Sequence, residues 1–120
     1  MAFRSSAPSA PMQLARVLMA SLFIVLGGWR VWGALNGLPL SNAALVFSVV
    51  ELVLGLLLLV GWRLRWVALL AAALLVADAL LSHPFWSVPA AVSDGQLLHF
   101  MKNIALAGGF LLLSATASRK

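Results

Sequence analysis

Apolar residues in this chain gather into four long runs, 14–33, 42–61, 65–82 and 96–114, and most polar residues and turn formers lie between them. Each run holds about twenty residues, the length at which an α-helix crosses roughly 30 Å of hydrocarbon. The five prolines all fall outside the runs. The tryptophans fall near run ends, with Trp29, Trp32 and Trp86 at one side and Trp62 and Trp66 at the other. That is the placement of interfacial aromatic belts, and it is independent of hydropathy. The pattern predicts an all-α fold, a membrane-embedded bundle of four transmembrane helices.

The gaps set the connections. Residues 1–11, with Arg4, Pro8 and Pro11, read as a disordered tail, 12–116 as one transmembrane domain, and 117–120 as a basic tail. Basic residues precede the first run as in a signal peptide, but no small-x-small cleavage site follows it, so a retained anchor helix is expected. Within it Arg16 and Arg30 are fourteen residues apart, roughly 21 Å at helical rise, so their long stems reach opposite interfaces. Asn36-Gly37-Leu38-Pro39 is a turn, and Ser41-Asn42 supplies N-cap residues. Gly61-Trp62-Arg63-Leu64-Arg65 is short enough to make the second and third spans an antiparallel hairpin. Residues 83–93 form a proline-punctuated loop, with Ser93 or Asp94 as cap of the last helix. Arg4, Arg16, Arg63, Arg65, Arg119 and Lys120 collect on one side and Arg30 on the other. By the positive-inside rule both termini are then cytoplasmic.

Composition agrees. Hydrophobic residues make up 63% of the 120 and charged residues 9%, against about half and about a quarter in soluble domains. A soluble domain of this size lacks the interior to hide that much apolar surface. The net charge of +5 sits at run edges and forms no basic stripe, which excludes nucleic acid as a partner. The chain has no cysteine. Thiolate catalysis, disulfides, Fe–S clusters and Cys-ligated zinc are excluded with it.

Chemistry is therefore sought among the ionisable residues inside the runs. Glu51 lies mid-span, Arg30 and Asp78 near the outer ends, and Lys102-Asn103 about two turns into the last helix from outside. Each charge costs roughly 2.5–3.5 kcal/mol at a helix centre, against about 0.3–0.6 returned per Leu or Val. One reading is structural: a Glu51–Lys102 pair between packed helices neutralises both. The other is functional. Gln96, His99 and Asn103 follow i, i+3, i+7 spacing with Lys102 flanking, and Leu106 and Gly109 extend the stripe. Glu51 and Gly55 share a face of the second span. An outward polar funnel lined by Glu51, His99, Lys102 and Arg30 suits a quinone, whose two carbonyls accept from Lys and His while its tail lies in lipid. His83 at a helix end reads as a carbonyl cap or interfacial residue. Haem ligation by His83 and His99 ranks far lower for want of further ligand signals. An exporter titrating Glu51 is disfavoured by the nearby cations. A faint echo between the Glu51–Arg63 and Lys102–Arg119 stretches hints at a two-hairpin duplication.

Glu51-Leu52-Val53-Leu54-Gly55, His83-Pro84-Phe85-Trp86 and Phe100-Met101-Lys102-Asn103-Ile104-Ala105-Leu106-Ala107-Gly108-Gly109, in that order, resemble the signatures of DoxX-family membrane proteins. The resemblance covers nearly all of the chain after the tail. It implies a four-helix inner-membrane protein, of a kind in which some relatives serve quinone-linked thiosulfate oxidation or oxidoreductase complexes. It carries no catalytic residue over. The expectation is an accessory or quinone-interacting subunit whose ligand residues are Glu51, His99, Lys102, Asn103 and Arg30. His83, Pro84, Phe85, Trp86, Asp78, Gly55, Gly108 and Gly109 are expected to be structural or loop motifs. No metal or covalently held cofactor is implied, and quinone is the cofactor considered. The partners expected are the bilayer, oxidoreductase subunits and further copies of the chain. The alternatives are a non-redox membrane protein binding lipid or solute, or scaffolding a partner, and, lower, a proton-coupled exporter.

Overall fold

In the computed structural model, which describes residues 9–117, four helices follow one another: α1 Ala10–Leu35, α2 Asn42–Val60, α3 Leu64–Ser82 and α4 Ala90–Thr116. A single 3-10 turn, Phe85–Ser87, lies between α3 and α4. All four helices are long and apolar enough to cross a membrane. Arg4, Pro8 and 118–120 lie outside the described residues.

Local chemistry sets each boundary. Ser9 caps α1 by accepting from the Met12 amide, and Pro11 sits in the first turn where its missing donor costs nothing. The helix therefore takes in Ala10 and Pro11, which the apolar pattern leaves in the tail. Ser41 caps α2 by accepting from the Ala44 amide at 3.1 Å. Gly61 closes α2 in the left-handed conformation, φ +79°, its amide donating to the Leu57 carbonyl. The expected cap of α4 is displaced. The helix starts at Ala90 behind Pro89, and Ser93 turns back onto the Ala90 carbonyl at 3.2 Å instead of capping. At 27 residues α4 is ~40 Å long, so its first turns project beyond α2 and α3.

Lipid tails are as apolar as leucine, so helices here associate by close packing and polar contacts. Glycines set the α1–α2 seam. A Cβ on Gly27 would lie 2.7 Å from the Ser48 carbonyl oxygen and 2.8 Å from the Leu52 nitrogen. One on Gly55 would lie 2.9 Å from the Ile24 nitrogen. Alanines set the α3–α4 seam, where Ala68, Ala71, Ala72, Ala79 and Ala107 are buried. Consequently α1 packs mainly on α2 and α3 on α4, while α2 and α3, although joined by a three-residue turn, touch far less. Between the two hairpins, Phe23 and Phe110 stack at 5.5 Å, both fully buried, with Leu54, Leu58, Val67 and Leu75 around them. The outward leucines, valines and all the tryptophans are exposed, as a lipid-facing surface requires.

Candidate functional site

The polar residues at the Arg30 end of the bundle fall into two groups, one on each hairpin. On the first hairpin, Gly27 lets α1 approach so closely that its absent Cβ would meet Glu51 Cβ at 3.2 Å. One turn on, Arg30 reaches across, and its Nη1 donates to Glu51 Oε1 at 2.8 Å. Only 6% of the Glu51 side chain is exposed, against 43% of Arg30. On the second hairpin, Asn103 Nδ2 donates to Asp78 Oδ2 at 2.7 Å, and His83 Nε2 stands 3.7 Å from the same oxygen. The other ring nitrogen of His83 meets Gln96 Oε1 at 2.8 Å. His99 stacks on His83 with centroids 5.1 Å apart.

This corrects the expected Glu51–Lys102 pair. The glycine seam commits α2 to α1, so α2 and α4 lie diagonally across the bundle without close backbone approach. Lys102 is exposed on the outer face of α4, and Glu51 takes Arg30 instead. The Gln96–His99–Asn103 stripe does face a neighbour, but that neighbour is α3 and its outgoing loop. His83 is accordingly no simple cap: its amide closes α3 on the Ala79 carbonyl, while its ring bonds Gln96. His83 and His99 stack with ring planes 27° apart, presenting faces to each other.

The loop motif is pinned by aromatics. Phe85 and Trp86 each meet Phe100 edge-on, at 5.2 and 5.8 Å, so the turn after Pro84 lies against α4. Gly55 serves the α1–α2 seam, Gly109 abuts Met19, and Gly108 faces open space.

Between the hairpins, on the α2–α3 side, a cavity of about 510 Å³ opens. Arg30, Ser48, Asp78, Ser82 and His83 supply its polar lining, and Phe47, Leu74, Ala77 and Leu81 are among its apolar walls. Ala43, Phe47 and Leu74 also line a lipid-facing groove between α2 and α3, so the two are continuous. Of the expected ligand residues, Arg30 lines the cavity, with Glu51 holding it from behind. His99, Lys102 and Asn103 do not. Asp78 and His83, expected to be structural, do. The apolar pattern does not single out Gly27, Ser48 or Phe47, whereas Ser82 stands with Asp78 at the end of the third run; a glycine one turn before an intramembrane arginine is the available signal for Gly27.

The lining combines a guanidinium with free N–H groups, an imidazole, a carboxylate and two hydroxyls over an apolar floor. Such a set orients a polar head by hydrogen bonds and supplies no nucleophile with an attendant base. Among the described residues no group of three or more His, Cys, Asp or Glu side chains could hold a metal ion.

Two curated relatives from Escherichia coli K12 match across most of their length. Inner membrane protein YphA is 28% identical over 112 residues, covering 86% of this chain and 80% of the relative. Inner membrane protein YqjF is 33% identical over 111 residues, covering 86% of this chain and 81% of the relative. No family model and no solved structure matches the chain.

Proposed function

The chain belongs to the family of inner membrane proteins that includes YqjF, and from that premise we propose that it binds a lipophilic molecule with a polar head, a quinone in the first instance, as an accessory subunit of a membrane oxidoreductase. The observation that carries this reading is the cavity of about 510 Å³, polar at Arg30, Asp78 and His83 and apolar toward the groove between α2 and α3. A quinone ring is small enough for such a volume, and its carbonyls accept from the guanidinium N–H groups of Arg30 that Glu51 leaves free. Its isoprenoid tail leaves through the groove into lipid. With the termini cytoplasmic, the head lies in the outer half of the bilayer.

The subunit role draws support from Lys102. This ammonium sits on the lipid-facing side of α4 with no ion pair among the described residues. Such a group calls for a partner or a route to the interface. Similarity of the Glu51, His83 and Lys102-Asn103 motifs to DoxX-family proteins supports the redox setting.

Equilibrium binding of a short-chain quinone to the protein in nanodiscs tests the reading. Ala77→Trp fills the cavity without touching a charge and should abolish binding while the protein stays folded. Unchanged binding by that variant, or none by the wild type, would refute it. A non-redox lipid or solute would then be sought at the same polar lining.

A further inference from the structure

The opposite end of the bundle carries a second polar arrangement, one that the cavity chemistry leaves unused. Four elements converge there: the α1 N-terminal half, the α2–α3 turn, the start of α3 and the end of α4. Its three described arginines behave differently. Arg16 is committed internally, donating from Nη1 to the Leu58 carbonyl at 2.8 Å and to that of Leu59, where a cation also complements the C-terminal dipole of α2. Arg63 and Arg65 have no ion pair among the described residues. The chain holds only three acidic residues, Glu51, Asp78 and Asp94. The first two belong to the polar groups at the Arg30 end and the third to the start of α4. None of these three side-chain carboxylates pairs with either arginine among the described residues.

Arg65 stands beside a built slot. The Ser114 hydroxyl donates to the Arg65 carbonyl at 2.8 Å, which fixes the end of α4 against the start of α3. Next to that bond a cleft of about 290 Å³ is lined by Arg65, Leu69, Leu111, Ser114, Ala115 and Ala117. Leu69 and Leu111 each lie one turn deeper along their helices than Arg65 and Ser114, so the cleft grades from a guanidinium at the interface to leucines in the hydrocarbon. Arg65 also lies over the Trp66 ring at 5.4 Å, and Arg63 over Trp62 at 5.5 Å. Both tryptophans are exposed, as aromatic side chains at a membrane interface are. Arg63, outside the cleft, is the one non-glycine residue among those described with a positive φ, +44°.

An orientation signal requires positive charge on this side, but it does not require a cleft with an apolar floor. From the unpaired Arg65, the leucine floor and the interfacial tryptophans we infer that the α3–α4 end is a binding site for the phosphate of an anionic glycerophospholipid. The phosphodiester meets the Arg65 guanidinium, the glycerol backbone fills the cleft, and an acyl chain descends along Leu69 and Leu111. Guanidinium–phosphate contacts are charge-assisted and directional, and basic pockets between spans are an established way of holding acidic headgroups. The inference is independent of the quinone reading.

Native mass spectrometry of the full chain, released from nanodiscs of phosphatidylcholine with increasing phosphatidylglycerol, tests it. The wild type should retain a tightly held phosphatidylglycerol. Arg65→Gln should weaken retention more than about tenfold, whereas Arg63→Gln, on the open surface, should cost no more than about fivefold, the effect of one basic residue near an anionic membrane. Leu111→Trp, which blocks the floor and leaves the charge intact, should reduce retention as far as Arg65→Gln does. Equal effects of Arg63→Gln and Arg65→Gln, with none from Leu111→Trp, would reduce the site to diffuse surface charge and overturn it. Displacement of the lipid by inorganic phosphate would assign the same guanidinium to a soluble phosphate and overturn it equally.

Discussion

The two hairpins meet the same requirement by different means. Each closes a small-residue seam and each places one carboxylate in the half of the bundle that holds Arg30 and His83. On α1–α2 the carboxylate is Glu51, buried and held by a full cation at 2.8 Å. On α3–α4 it is Asp78, held at 2.7 Å by the neutral amide of Asn103, with His83 at a longer 3.7 Å. The first pair sets a guanidinium against its carboxylate; the second sets a neutral amide against it. Asp78 and His83 also line the cavity, together with the exposed side of Arg30. The difference separates two jobs. On the proposed function, the α1–α2 hairpin gives the cavity its cationic edge at Arg30, and the α3–α4 hairpin gives it Asp78 and His83.

Breaking the α1–α2 seam should have the largest effect. Gly27→Leu forces a side chain into backbone atoms 2.7 and 2.8 Å away, and should cost about 3 kcal/mol or more in reversible unfolding. Gly108→Leu, on a glycine facing open space, should stay within about 0.5 kcal/mol. Next comes the ion pair. Arg30→Met strands a buried carboxylate and should cost about 2–3 kcal/mol, less than a fully buried pair because Arg30 is half open to its surroundings. Adding Glu51→Leu should recover most of that loss, which a double-mutant cycle reads directly. Asn103→Leu removes the amide from Asp78 and should cost about 1–2 kcal/mol. If it proves as damaging as Arg30→Met, the contrast between the hairpins fails. Smallest of all, Lys102→Met should leave stability unchanged within about 0.5 kcal/mol and act only on association with a partner chain.

Four spans are readable from the sequence because the thickness of hydrocarbon dictates their length and the tryptophans mark its edges. Which spans touch is not readable from hydropathy. The Gly61–Arg63 turn draws the eye to an α2–α3 hairpin, yet Gly27 and Gly55 decide that α2 belongs with α1. From that one fact follow the replacement of Lys102 by Arg30 as the partner of Glu51 and the outward exposure of Lys102. The Gln96–His99–Asn103 stripe was legible as helical spacing, since it needs only α4's own geometry. Its counterpart, Asp78 with His83, depends on how α3 lies across it. The early start of α4 is not legible because Pro89 opens it without a side-chain cap, leaving no Ser or Asp signature at the right place.

Photolabelling with an azido-quinone in native-like membranes, followed by peptide mapping, addresses the central claim most directly. Label should concentrate on α2 and α3 around Phe47, Leu74 and Ala77, and should be competed away by unlabelled quinone. Label spread over the lipid-facing leucines of all four helices, or insensitive to competition, would contradict a quinone site in the cavity.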